Sequence, residues 1–261
     1  MNNAIVNFTE ILSFARNYGL PPEKRRAILR EYLQTKILSF LYQEKISQNL
    51  FFVGGTSLRL LRGLDRFSED LDFDAVGIPS HQAQQLVTTV LQRLQQEDIS
   101  VELHDNKTIK RSYYELRFPG LLTQLQLSPN RDEKLMIKLD IENFWRGQAR
   151  ETVFMNRYGF LATVVTKSLE QMVVEKVAAY LGREDTQPRD LYDIVWLLSR
   201  GIQPDFIFAK ENHLPADIMD KARKKFILES PLLSRYKIKL RPFLFDEKQV
   251  DRLDFFGELV K

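Results

Sequence analysis

The sequence predicts an α/β chain (α+β in the stricter sense) that ends in a helical C-terminal section. Three observations predict it. Two stretches of helical spacing open the chain, and short apolar or alternating runs then recur between residues 50 and 142. Beyond about residue 160 the strand signals largely stop and helical spacing takes over. A division at 1–160 and 161–261 follows from that change of pattern.

In order, residues 6–17 and 22–44 have helical spacing, and Pro21-Pro22 breaks the first and opens the second, where proline is tolerated. In the second helix Ile28, Leu29, Tyr32, Leu33, Ile37, Leu38 and Leu41 form an apolar stripe. A strand at 50–53 leads through Gly54-Gly55 into a helix at 56–63, and a strand at 70–74 follows. Gln82–Gln96 reads as a helix after the turn at Gly77–Ser80. Ile99–Leu103, Ser112–Phe118 and Lys134–Glu142 read as strands by their alternation. Helices are expected at 168–182 and 189–199, with weaker ones near 203–209, 214–226 and 246–258.

Composition removes several classes of function. Zero cysteines exclude disulfides, thiolate metal sites and cysteine nucleophiles, and suit a reducing cytoplasm. His81, His104 and His213 are too scattered to suggest a histidine zinc site. No apolar run is long enough for a membrane span, and no charged-then-apolar leader is present, so neither a span nor a secretory signal is expected. A net charge of +3 and a pI near 8.9 permit nucleic-acid contact without arguing for it.

The densest chemistry lies between Phe51 and Asp74. In a strand, side chains alternate between faces, so Asp70, Asp72 and Asp74 share one face while Leu71 and Phe73 point to the core. Like charges in a row repel, and a divalent cation such as Mg2+ or Mn2+ is the common reason to keep them, because carboxylate oxygens suit an ion that also holds substrate phosphates. Gly54 and Gly55 have no Cβ to bar a phosphate, and the N–H groups of the following helix start favour an anion. Each piece alone has a plainer reading: a Gly-Gly turn, and a solvated sheet edge. Together, one short helix apart, they read as a nucleoside-triphosphate site.

The wording Gly55-Thr-Ser-Leu-Arg-Leu followed by Arg66-Phe-Ser-Glu-Asp-Leu-Asp-Phe resembles the AbiEii/AbiGii-type toxin nucleotidyltransferases, which include the MenT-like enzymes, within the polymerase-beta-like superfamily. The resemblance covers roughly residues 50–75 and 134–200. It implies a mixed, twisted sheet with helices, and a helical C-terminal section that closes a cleft. It also implies that Asp70 and Asp72 hold magnesium, that Gly54, Gly55, Thr56 and Ser57 cradle phosphate, and that Ser68 supplies a phosphate or metal-shell hydroxyl.

Further along, Leu135, Ile137, Leu139 and Ile141 alternate with Met136, Lys138, Asp140 and Glu142. Asp140 stands where the superfamily places a third carboxylate, a metal ligand or proton acceptor. The plainer reading is an exposed, charged edge strand. Ser168-x-x-Gln171 is a capping box for the helix that follows. Lys176 interrupts that helix's apolar stripe, where an ammonium is costly unless paired or snorkelling to water. Lys176-x-x-Ala179-x-x-x-Arg183 resembles the family's third motif and implies a lysine aimed at triphosphate oxygens. Arg189-Asp190-x-x-Asp193 resembles the fourth, whose aspartate faces the active site, although Arg189 could simply pair with Asp193 at i, i+4.

The activity implied is transfer of NMP from an NTP to an RNA acceptor, by resemblance a tRNA 3′ end, by a toxin with a cognate antitoxin. The alternatives are a small hydroxylated acceptor and a catalytically dead nucleotide-binding module. Arg59, Arg62, Arg66 and the cluster Lys221, Arg223, Lys224 and Lys225 are the candidate RNA contacts, the cluster also reading as a solvated helix face.

Overall fold

A computed structural model describes residues 7–107 and 112–260. The chain runs α1 (Phe8–Asn17), α2 (Arg25–Leu41), β1 (Leu50–Val53), α3 (Gly54–Arg62), β2 (Leu71–Ala75), α4 (Ser80–Gln96), β3 (Glu102–Lys107) and β4 (Ser112–Phe118). There follow α5 (Leu121–Gln124), β5 (Leu135–Glu142), β6 (Arg150–Arg157), β7 (Phe160–Lys167), α6 (Leu169–Gly182) and α7 (Pro188–Leu198). The last elements are α8 (Phe206–Glu211), α9 (Ile218–Glu229), α10 (Leu233–Leu240) and α11 (Phe256–Leu259). The expected first helix reached back to Val6, which lies outside the described residues.

The strands form a seven-stranded mixed sheet in the order β3-β4-β5-β2-β1-β7-β6. β1 is antiparallel to β2, and β2 is parallel to β5. β1 also pairs in parallel with β7, through Phe52 and Thr166. The central strands β1 and β2 are four and five residues of mostly buried side chains, the pattern of strands covered on both faces.

Helix α2 departs from its expected stripe. Ile28, Leu29, Leu33, Ile37, Leu38 and Leu41 are buried, but so are Glu31, Gln34, Thr35, Lys36 and Ser39. A helix buried nearly all round must satisfy its polar groups internally. Gln34 donates to the carbonyls of Ser68 and Glu69 (3.2 and 2.9 Å), so a core helix tethers the segment before β2.

Strands β6 and β7 were not legible by alternation. β6 places Val153, Phe154 and Met155 in a row, with Phe154 65% exposed, which hides the period of two. Tyr158 and Gly159, both at positive φ (52° and 80°), make the turn between them. Near the C-terminus, the helix expected at 246–258 is instead a 3₁₀ stretch, Glu247–Phe255, that runs into α11.

The chain packs as two units. One comprises Met1–Leu61, Phe67–Phe144 and Thr152–Thr166; the other comprises Arg62–Arg66, Trp145–Glu151 and Lys167–Lys261. Among the described residues no helix is long and apolar enough to cross a membrane.

Candidate active site

The acidic strand begins at Leu71, so Asp70 stands just before β2 rather than in it. Asp70 and Asp72 are half-buried and Asp74 is buried, which opens the row at its Asp70–Asp72 end. The parallel neighbour β5 sets Asp72 beside Asp140 and Asp74 beside Glu142. In-register residues of adjacent strands share a face, so β2 and β5 present carboxylates to the same side. β5 is an interior strand, between β4 and β2, and Asp140 is 5% exposed, which removes the edge-strand reading. Lys138 donates to Asp140 at 2.8 Å and its ammonium lies 4.5 Å from the Tyr113 ring centroid.

Helix α3 starts at Gly54, two residues earlier than expected. Gly54 has φ +75°, and a Cβ built on it would stand 2.2 Å from Asp72 Oδ2. A side chain at this position would therefore meet both a left-handed backbone and the Asp72 carboxylate, which would have to shift. Thr56 Oγ1 donates to the Asp70 carbonyl, and Ser57 Oγ lies 3.2 Å from Thr166 Oγ1. These hydroxyls, expected to cradle phosphate, are instead taken up within the fold. Gly55, Thr56 and Ser57 are all buried in the first turn of α3. Ser68 is half-buried, its carbonyl held by Gln34.

In α6 the expected N-cap is present, with Ser168 Oγ accepting from the Gln171 N–H at 3.3 Å. The reciprocal half of the capping box is replaced, because the Gln171 side chain bonds Gly147 and Ala149. Lys176 neither snorkels nor lies open. Its ammonium lies 3.0 Å from Asp190 Oδ1 and 2.8 Å from Asp193 Oδ2, with only 14% of the side chain exposed. Arg66 grips Asp193 with both arms, Nε to Oδ1 and Nη2 to Oδ2, each at 2.7 Å. Asp193 is wholly buried, so the anticipated Arg189–Asp193 pair gives way to these partners, and the Arg189 guanidinium lies over the Phe243 ring. Arg183 approaches Asp190 at 3.3 Å.

Burial works against each charge in this group. For Lys176 it is outweighed by Asp193 and Asp190, which hold the ammonium above the ordinary lysine range. For Asp193 it is outweighed by Arg66 and Lys176, which hold the carboxyl below the ordinary range.

The arginines expected to meet RNA are used internally. Arg59 is buried and forks onto Glu31 at 2.8 and 3.2 Å, Arg66 is committed to Asp193, and Arg62 is paired with Glu151. Glu31 also accepts from the Tyr158 hydroxyl at 3.2 Å; burial first, then the Glu31 charge, raises that phenol well above its usual range. Lys221 pairs with Asp217, and Lys225 donates to the Tyr180 and Arg183 carbonyls that end α6. Sequence reasoning missed Lys167, a fully buried lysine whose ammonium is paired with Glu175 and lies 5.5 and 5.4 Å from the Trp145 and Phe208 ring centroids. No motif marks it; only a lysine ending a β-branched strand hints at burial.

For a divalent cation the donors are of the right kind: hard carboxylate oxygens from β2 and β5 in register, the β2 row half open. Among the described residues no three acidic or histidine side chains converge as a ready metal cage. The fit is thus one of donor chemistry, with Asp70, Asp72 and Asp140 as the set available.

Two solved structures share the fold. JHP933 from Helicobacter pylori is 21% identical, with 90% of this chain and 91% of that one covered at a TM-score of 0.54. A candidate nucleotidyltransferase from H. pylori is 22% identical, with 90% and 94% covered at a TM-score of 0.55. No curated protein matches the sequence. The family model of the nucleotidyl transferase AbiEii toxin of type IV toxin–antitoxin systems matches residues 36–256, a span that holds the acidic strands, the Gly-Gly turn and the Lys176 cluster. The chain therefore belongs to the AbiEii toxin family and is a nucleotidyltransferase.

Proposed function

We propose that this toxin moves NMP from an NTP to a hydroxyl of an RNA acceptor, a tRNA 3′ end, with Mg2+ or Mn2+ held by Asp70, Asp72 and Asp140. The observation that carries the metal part is the register of β2 and β5, which gives Asp72 and Asp140 one face of the sheet. When bound, a divalent cation neutralises triphosphate charge and lowers the pKa of the attacking hydroxyl.

The chain's own groups supply the rest. The first-turn N–H groups of α3, at Gly54 and Gly55, point a helix N-terminus at phosphate. Thr56 and Ser57 act through the backbone, their hydroxyls anchoring α3 to the Asp70 carbonyl and to Thr166. Ser68, two residues before Asp70, is the hydroxyl assigned to the phosphate or metal shell. Asp140 is the proton acceptor for the acceptor hydroxyl, its carboxylate oriented by the hydrogen bond from Lys138. The hydroxyl oxygen bonds to the α-phosphorus, the α–β anhydride bond breaks, and pyrophosphate leaves. The family's Lys-x-x-Ala-x-x-x-Arg motif assigns Lys176 to the charge of the departing β and γ phosphates, and Asp190 and Asp193 fix its ammonium. A preset charge of this kind needs no reorganisation during the reaction. NTP and RNA acceptor together put this chemistry in the cytoplasm.

The test is incubation with each labelled NTP, total RNA and small hydroxylated molecules, with and without EDTA. Labelled RNA that disappears with EDTA is the expected result. Labelling of a small molecule alone, or transfer that survives chelation, contradicts the reading.

A further inference from the structure

Residues 218–243 run as a nearly unbroken right-handed helix. The 3₁₀ turn Ser230–Leu232 joins α9 to α10, the turn Arg241–Phe243 follows, and Ser230, Leu233 and Arg241 all keep αR backbone. The inward side buries Met219, Ala222, Phe226, Tyr236 and Leu240. The outward side carries the exposed cations Arg223, Lys224, Arg235 and Lys239. Between them stand Ile227, Leu228 and Leu232, 59%, 80% and 43% exposed, with Ile238 at 66%.

The other lysines of this run are engaged. Lys221 is paired with Asp217, Lys225 caps α6, and Lys237 holds Asp251 and Asp254. Glu229 is the one carboxylate in the sequence from Lys221 to Arg241, and it accepts from the Tyr180 and Thr186 hydroxyls at 3.0 and 2.8 Å. Between Arg223 and Lys239 the outward face has cations at both ends and no carboxylate; the exposed Asp220 lies one turn before Arg223 and Lys224. From residue 223 to 239 the helix covers about 24 Å at 1.5 Å per residue.

We propose that this face docks the phosphodiester backbone of RNA. The inference rests on the RNA-acceptor reading and adds the surface that holds the acceptor. A partner must carry anions at both ends of the face, which a nucleic-acid backbone does along its whole length. No aromatic side chain is placed among these cations for base stacking, so the contact reads backbone and sugar rather than sequence. The aliphatic middle then lies against ribose between the two phosphate grips. The chain's net charge is only +3, so attraction for RNA must be concentrated locally.

The test combines Arg223→Glu, Lys224→Glu, Arg235→Glu and Lys239→Glu, with a glutamine set as the milder control. Nucleotide affinity, read by calorimetry, should not change. Affinity for bulk tRNA at low salt should fall at least tenfold in the glutamate set. The log–log salt slope should shallow by roughly 0.7 for each lost contact on single strands, or 0.9 on duplex. Unchanged tRNA affinity and slope, in a variant whose parent binds and labels RNA, overturns the surface and leaves the acceptor reading standing. A parent that labels only small molecules and never binds tRNA overturns both. A parent that prefers poly-glutamate to tRNA through this face reassigns it to an acidic protein.

Discussion

The Asp72 carboxylate fills the space beside Gly54 that a side chain there would need: a Cβ at residue 54 would lie 2.2 Å from Asp72 Oδ2. The helix start and the acidic strand are therefore fitted to each other before any substrate arrives. Gly54→Ala should displace Asp72 and abolish transfer, besides the roughly 1–2 kcal/mol that a left-handed non-glycine residue costs. Gly63→Ala is the control, since Gly63 also has positive φ (+80°) but nothing within 4 Å of its Cβ position. Equal activity loss in both variants, at matched melting temperatures, would count against the fitted contact.

Asp70→Asn and Asp72→Asn should each abolish transfer while the melting temperature in metal-free buffer stays level or rises. Neutralising one member of a self-repelling row relieves repulsion. A fall of many degrees would show these carboxylates to be structural.

Arg66→Met should destabilise the chain by about 3–5 kcal/mol, the cost of leaving a buried ion group without one partner. Arg66→Lys should recover little of it, because an ammonium cannot reproduce the two-armed grip on Asp193. Denaturant melts measure both; parity of the methionine variant with the parent would mean the pair contributes nothing.

The pH dependence follows from the same group. Asp193 is held below its ordinary pKa, so its stabilisation is present above the unfolded value and is lost as pH falls through the folded one. Lys176 is held above its ordinary value, so its contribution is present below the unfolded pKa and is lost as pH rises through the folded one. Stability from this group is therefore flat across neutral pH. In Arg66→Met the Asp193 carboxyl loses its main counter-charge, and the acid limb of a melting-temperature profile should move to higher pH. A superimposable acid limb in parent and variant would contradict this.

Lys176→Ala should weaken triphosphate binding by on the order of 1.5–3 kcal/mol if its ammonium meets phosphate. Calorimetry with the nucleotide reads this directly. Unchanged nucleotide affinity would leave Lys176 as a structural partner of Asp190 and Asp193.

The helix and strand that carry the glycines and aspartates were legible because their signals are local. Glycines before a helix and Asp-apolar-Asp on a strand are read from adjacent residues, and the structure keeps both within a residue or two of the expected bounds. What was not legible is long-range. Arg66 and Asp193 are 127 residues apart, and Glu31 and Arg59 are 28 apart on different helices. A cation in sequence looks the same whether it will meet phosphate or a buried carboxylate. Arg59, Arg62 and Arg66 therefore read as RNA contacts although all three are internal partners. β6 was missed for the opposite reason: its exposed Phe154 breaks the pattern that marks a strand.

The pairing of β2 with β5 also bears on when, during synthesis, the acidic pair can form. These strands are parallel neighbours, yet β2 ends at Ala75 and β5 begins only at Leu135. Parallel pairing across so large a sequence separation is slow and cannot start until the second strand has been synthesised. A nascent chain on the ribosome therefore carries its glycine turn and first aspartates long before it can set Asp72 beside Asp140. Lys176 and its partners wait longer still, because Asp193 must be translated before Arg66 can grip it. Translation order alone delays assembly of the acidic pair and of the buried ion group, and the chain passes most of its synthesis without either.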